Sequence, residues 1–388
     1  MGPFFKELDM IFRKRGAITF KIGFNAGDWY YSNKDNYIAY REKREKWKRF
    51  IENFLREKKI DKLFLFGDCR YYQKQAISVS ISLGIEVFVF EEGYVRPDYV
   101  TMEKFGVNDF SHISRNSAFY HKQKNEEVEI PLPARQSKFK MVYSAAIYYL
   151  LSNLLVWKYP NYKHHREFSA LKEAFYGLRG VVRKYIFAVT EKKYGHLIAN
   201  SLSKHYFFVP LQTYNDFQIL QHSNYGSIEK FIIEVLESFA KHAKSDDLLI
   251  FKHHPVDRGR RNYRAFIMEQ ALSLHMAHRV LVFHDVYLPT CLKHAKGTVT
   301  INSTVGLTSI GYGIPTTVLG NAIYDIKGLT CKGMKLKDFW KEPMEPDNAL
   351  YRKYKRYLID KTQLNGSFYG MFPVEFYKDE MYVDRIET

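Results

Sequence analysis

The stretch VFVFEEGYVRP, Val87 to Pro97, sets an apolar run directly against two adjacent carboxylates, Glu91 and Glu92, followed by a glycine, a tyrosine and an arginine. Four β-branched and aromatic residues in succession, bounded by polar and turn residues, read as a buried strand. Two further apolar runs precede it, AITFKIGFN (17–25) and KLFLFGD (62–68). The segments between, DNYIAYREKREKWKRFIENFLREKK (35–59) and RYYQKQAISVSISLG (70–84), read as helices. This β-α-β order predicts a parallel sheet carrying its ligand groups at the carboxyl ends of the strands. Asp68 and the segment from Glu91 to Arg96 then share one rim of one sheet.

A second series begins after a helical, basic middle section. KHYFFVPLQ, LLIFKHHP, RVLVFHD, GTVTINST and PTTVLG are five strand candidates, interleaved with helical stretches such as SIEKFIIEVLESFAKHA and LPTCLKHA. The predicted architecture is therefore α/β, two Rossmann-like domains facing a cleft. Its expected divisions are 1–137, a helical section at 138–204, a second α/β domain at 205–345 and a closing helical segment at 346–388 that packs back on both. A length of 388 residues exceeds what one hydrophobic core usually serves, and 46% hydrophobic residues suffice for two.

Lys and Arg number 59 against 42 Asp and Glu, a formal charge of +17, which favours an anionic partner: nucleic acid, an acidic membrane or a phosphorylated substrate. The basic residues are scattered and match no nucleic-acid recognition module, so no nucleic-acid partner is expected. Three widely spaced cysteines, Cys69, Cys291 and Cys331, fit a reducing cytoplasm, and the amino terminus lacks the pattern of a signal peptide. Met141 to Trp157 is apolar but short, contains Ser144, Ser152 and Asn153, and is followed by Lys158, Lys163 and Arg166. It reads as an interfacial helix or an ordinary buried one rather than a membrane span.

Three constellations in the second series have the chemistry of a site. FKHHPVDRGRR (251–261) places Lys252, His254 and Arg258 at a strand end, a reception for phosphate or carboxylate that a solvated basic loop would equally resemble. In TVTINSTVGLTSIGYGIP (298–315), Asn302, Ser303, Thr304 and Gly306 lie between a strand and a helix start, where backbone amides hold anions and where a plain N-cap also belongs. VPLQTYNDFQILQHS (209–223) strings Gln212, Asp216, Gln218 and His222 around another strand end, and such polar clusters are commonly loop chemistry. Dinucleotide, P-loop, zinc-protease and serine-hydrolase signatures do not occur in the sequence.

FNAGDWYYSNKDNYIAY, FGDCRYYQKQA, VFVFEEGYVRPDYVTMEKFGVN, LQTYNDFQILQHSNY, KHHPVDRGRRNYR, HAKGTVTINSTVGLTSIGYGIP and LGNAIYDIKGLT together resemble the KpsS/LipB family of capsular polysaccharide proteins, in order and over nearly the whole chain. The resemblance implies a GT-B-like fold and a cytoplasmic enzyme, peripheral on the inner membrane. It implies a retaining β-Kdo glycosyltransferase that takes Kdo from CMP-Kdo and places it on lyso-phosphatidylglycerol, beginning the linker that carries the capsule and that a KpsC-type enzyme extends. Lys252, His254, Arg258, Asn302, Ser303, Thr304 and Gly306 then become donor-binding candidates. Glu92 becomes the nucleophile, because in KpsC-type modules the matching motif is Glu-Asp-Gly with the Asp attacking. Glu91 and Asp68 are the candidates for proton transfer. Asn25, Asp28, Arg70, Arg96, Gln212, Asp216, Gln218 and His222 complete the expected cleft. No cofactor and no metal are expected, since the basic side chains neutralise a leaving CMP. The family pattern usually has an apolar strand before GPFF, whereas here Met1 precedes Gly2 directly, which leaves open whether the first strand of the sheet belongs to this chain. The competing reading is a non-catalytic scaffold of capsule export, which has no chemical need for paired carboxylates at a strand end.

Overall fold

The computed structural model describes residues 2–123, 130–162, 170–214, 219 and 223–377. The chain divides into two units, the first from Met1–His112, Glu127–Ala170 and Leu358–Thr388, the second from Ile113–Glu126 and Leu171–Tyr357. Each is a mixed α/β structure with parallel strand pairs.

In the first unit β1 (Lys21–Gly23) and β2 (Tyr37–Ala39) form a separate two-stranded parallel sheet. The main sheet is built on β3 (Lys62–Phe66) and β4 (Glu86–Glu92), which pair in parallel with Leu65 opposite Val89. β5 (Tyr99–Lys104) then runs antiparallel to β4, setting Glu91 opposite Thr101 and Glu92 opposite Val100. Phe88 and Phe90 are buried among Phe4, Phe12, Val100 and Met102 in an aromatic core. The segment from Asp35 departs from expectation: it holds β2 first, and its helix starts only at Trp47. The charged run REKREK offers no apolar face, and the helix begins where Trp47, Ile51 and Leu55 recur at four-residue spacing and are all buried.

The second unit realises all five expected strands, β6 (Tyr206–Pro210), β7 (Leu248–Lys252), β8 (Val280–Phe283), β9 (Gly297–Thr300) and β10 (Thr316–Val318). Their order is β10-β9-β6-β7-β8 and every neighbouring pair is parallel. This is the doubly wound Rossmann arrangement, in which the chain reverses direction across the sheet between β6 and β9. Helices cover both faces, so Phe207 and Val209 enter one core with Phe231, Val235 and Phe239, while Tyr206 and Phe208 enter another with Ile250 and Leu292. The helix Ile228–His242 shows how sequence sets such an element. Ser227 caps its first turn, Glu229 sits at the positive end, Lys241 and His242 at the negative end, and six apolar residues at helical spacing are buried.

The expected closing helix runs only over Asn348–Thr362. There the chain extends into β11 (Gln363–Asn365), which adds antiparallel to β5 in the first unit's sheet. Leu364, fully buried beside Phe88 and Phe90, gives the physical reason, since a strand can deliver it to that core where a continued helix would not.

Candidate active site

In the first unit the carboxyl ends of β3 and β4 bring Asp68, Arg70, Glu91, Glu92 and Arg96 together. Successive strand residues face opposite sides of a sheet. Glu92 therefore shares a face with Phe88 and Phe90, while Glu91 shares the other with Val87 and Val89. On its side Glu91 looks toward the turn after β3, where a Cβ on Gly67 would lie 3.8 Å from its Oε2. Burial lifts the Glu91 carboxyl to about 7; the amide of Glu92 donates to its Oε1 at 3.1 Å and opposes the shift, while the charge of Glu92 adds to it. Burial also raises Glu92, against the pull of Arg96. Asp68 is committed elsewhere: its Oδ2 accepts from the Val107 amide at 2.8 Å and its Oδ1 from Cys69 Sγ at 3.0 Å.

The loop after β4 is clamped. A side chain at Gly93 would put its Cβ 2.2 Å from the Tyr99 carbonyl oxygen, so only glycine lets the chain pass there. Arg96 Nε donates to the Gly93 carbonyl at 3.0 Å, and the Tyr94 amide donates to Gln363 Oε1 at 3.0 Å. Gln363 in turn donates to Thr101 Oγ1, whose hydroxyl donates to the Glu92 carbonyl. Gln363 escapes sequence reading because nothing local marks a glutamine on a three-residue strand as the anchor of a loop hundreds of residues earlier.

Asn25 and Asp28 act, together with Arg70, on Tyr162. Asn25 caps the short helix Ala26–Tyr30 by accepting from the Asp28 amide, and its side chain also bonds Tyr148 and Ser152 of the helix Lys138–Leu154. Asp28 Oδ2 accepts from the Phe24 amide. Both tie two helices together. Arg70 lies within electrostatic reach of Glu91 and also of Tyr162.

In the second unit the candidates gather at the carboxyl ends of β6, β7 and β9. At the reversal point Gln212 and Asn302 bond each other, Gln212 Nε2 donating to Asn302 Oδ1 at 3.0 Å and the Asn302 amide to Gln212 Oε1 at 3.4 Å. Open α/β sheets bind ligands outside the strand ends at such a point. Ser303 caps the helix Thr304–Gly311, accepting from the Val305 amide at 3.2 Å. Gly306 has no room for a Cβ, which would meet Tyr324 Oη at 2.3 Å, and Tyr324 donates to the Ser303 carbonyl.

The basic loop is ordered by its own residues. His254 Nδ1 accepts from the Val256 amide at 3.2 Å at the start of the 3-10 turn Pro255–Gly259, which leaves the proton of the neutral ring on Nε2. Lys252 is buried, with Nζ donating to the His284 carbonyl at 3.1 Å, and burial lowers its pKa. Arg258 pairs with Asp285. Behind the loop, His253 stacks on His284 at 4.4 Å and His284 on Phe187 at 3.9 Å. The Glu191 carboxylate accepts from the His284 and Asp285 amides and pairs with His284 Nδ1 at 3.1 Å. Burial pushes His253 down to about 3, keeping it neutral. His284 and Asp285 follow a strand end, a signal available in VFHD, whereas Glu191 sits in a helical section with no motif. Asp216, Gln218 and His222 lie outside the described residues, as do Lys163 and Arg166.

The family model described as capsule polysaccharide biosynthesis protein matches residues 61–369. The chain is 37% identical to the capsule polysaccharide export protein KpsS of Escherichia coli, over 95% of this chain and 95% of that one. It is 34% identical to the capsule polysaccharide modification protein LipB of Neisseria meningitidis serogroup A, over 95% and 90%. Among solved structures, the β-Kdo 2,7 transferase of Thermosulfurimonas dismutans KpsC aligns with 82% of each chain at 14% identity and a TM-score of 0.40. The match over most of its length, with relatives above one-third identity end to end, makes this chain a member of the capsule polysaccharide biosynthesis protein family.

Proposed function

We propose that the chain is a retaining β-Kdo glycosyltransferase, taking Kdo from CMP-Kdo and attaching it to lyso-phosphatidylglycerol to begin a capsule linker. The observation that carries the reading is the pair of half-buried, upward-shifted carboxylates at the end of β4, held by a clamped loop. Ion-pair networks rarely keep a carboxyl near 7, whereas proton transfer at neutral pH needs one there.

In the proposed reaction Glu92 Oε attacks the anomeric carbon of Kdo as the bond to the CMP phosphate oxygen breaks, and the electron pair leaves with CMP. A glycosyl ester on Glu92 results. The acceptor hydroxyl then attacks the same carbon, its proton passes to Glu91, and Glu92 departs as carboxylate, so two inversions give retention. Asp68, bonded to Val107 and Cys69, supports the rim. The His254 Nε2–H and the amide at Thr304 receive the phosphate and the sugar carboxylate of the donor.

An anionic lipid acceptor fits the charge of +17 and places the protein peripherally on the cytoplasmic side of the inner membrane, beside the KpsC-type enzyme that extends the linker. No helix among the described residues is long and apolar enough to cross a membrane. The helix Lys138–Leu154 and the turn after it expose Phe139, Val142, Leu150 and Trp157, as an interfacial segment would. The test is incubation with CMP-Kdo and a short-chain lyso-phosphatidylglycerol. CMP release with a product one Kdo heavier is expected, and Glu92→Gln should abolish it while melting stays near wild type. Near-normal turnover by Glu92→Gln removes Glu92 as nucleophile.

A further inference from the structure

The helix Ala170–Thr190 has two faces of opposite character. Phe175, Leu178, Val182, Tyr185, Ile186 and Val189 are exposed, Leu178 and Tyr185 by 68% each and Val189 by 77%. At 100° per residue they cover an arc of about 100°, a continuous apolar stripe with no covering element among the described residues. The opposite face is spent on the basic loop. Arg179 donates to the carbonyls of Gly259 and Arg260 at 2.6 and 3.0 Å, and Arg183 to that of Arg258 at 3.0 Å. A Cβ on Gly259 would lie 2.0 Å from the Tyr176 carbonyl oxygen, so helix and loop touch backbone to backbone. Phe187 and Glu191 continue the grip through His284.

We propose that this apolar stripe docks on an anionic lipid surface and holds the Pro255–Gly259 loop one helix diameter, about 10 Å, above it. Charge decides the occupant. A second copy would bring +17 against +17, and the stripe's 3-4 spacing spans only about two heptads, short of a stable coiled-coil seam. Exposed Lys192 and Lys193 lie just beyond the helix, suited to acidic headgroups. The inference deepens the membrane part of the proposed function by assigning a second contact, one that is mechanically joined to the candidate donor loop.

The test uses the full chain, without donor or acceptor, in flotation with phosphatidylcholine vesicles and with vesicles that also contain phosphatidylglycerol. Wild type should float with the phosphatidylglycerol vesicles, less as salt rises. Leu178→Ser/Val182→Ser/Val189→Ser should lower the bound fraction at least tenfold. Tyr185→Trp, which keeps the stripe apolar, should gain a blue-shifted emission over wild type when those vesicles are added. Wild-type partition by the triple variant, or no shift from the tryptophan, overturns the proposal. So does sedimentation showing a vesicle-free dimer that the triple variant dissolves. Transfer to a short-chain acceptor in solution needs no vesicle, so it stands or falls separately.

Discussion

Glu91 offers the sharpest quantitative test of the rim. Its carboxyl titrates at about 7 in the folded protein against 4.5 for the ordinary group. Between those values the folded state holds the proton more tightly than the unfolded chain does. Stability from this group is therefore full below about 4.5 and is lost as pH rises through about 7. At roughly 1.4 kcal/mol per pH unit the gap is worth about 3 kcal/mol in a dry site, and nearer 2 for a half-buried carboxylate that water partly reaches. Glu91→Gln removes the titration and keeps the shape. Urea unfolding of both proteins from pH 5 to pH 8 should show the variant gaining on wild type by about 2 kcal/mol, with most of the change before pH 7. The same substitution should flatten the rise of kcat/KM with pH through about 7, since the proposed base acts only when ionised. A stability difference constant across that range would show that Glu91 titrates as an ordinary surface carboxylate, and the assignment of the proton-transfer role would fall with it.

Gly93→Ala should lower stability by about 1 to 3 kcal/mol, seen as a drop in Tm, and should cut transfer more than Tm alone explains, because the 2.2 Å approach to the Tyr99 carbonyl forces the Glu92 backbone to move. His254→Ala should raise the donor KM by roughly ten- to a hundredfold, the loss of one charge-assisted contact of about 1.5 to 3 kcal/mol, and unchanged kinetics would remove it from the donor site. Transfer should survive EDTA, with His254 and the amide at Thr304 meeting the leaving phosphate; loss of activity that magnesium restores would contradict this.

Local pattern made part of this molecule legible. The five strands of the second unit are each a short apolar run closed by polar residues, and the residues at their ends were identifiable as site candidates because a parallel sheet exposes those ends. Strand order was not legible, since the β6–β9 neighbourhood that brings Gln212 to Asn302 depends on pairing across some 90 residues. The contribution of β11 to the first sheet was hidden for the same reason. Asn25 and Asp28 carry a local signal of another kind. Asn-Ala-Gly-Asp has the spacing of an N-cap with an acidic residue three positions on, and the structure uses it as one.

The opening stretch can now be read as a physical device. A buried strand that ends in two consecutive carboxylates must send them to opposite faces, so they cannot relax into one solvated cluster, and each is desolvated by a different set of neighbours. Glu91 meets the turn at Gly67 with Asp68 and Arg70 nearby, whereas Glu92 meets Arg96 and lies within electrostatic reach of Tyr369. Different surroundings are what can separate the roles of two like acids, and here Arg96 acts on Glu92 against the burial that raises both. The chain then has to leave the strand without covering either side chain. Gly93 permits the tight passage under Tyr99, and Thr101 and Gln363 fix it there. A salt-bridged strand end would require only Arg96. The glycine, the buried glutamine and the threonine are explained by the need to hold two acids at fixed positions on a rim, which is the demand that catalysis makes and that scaffolding does not.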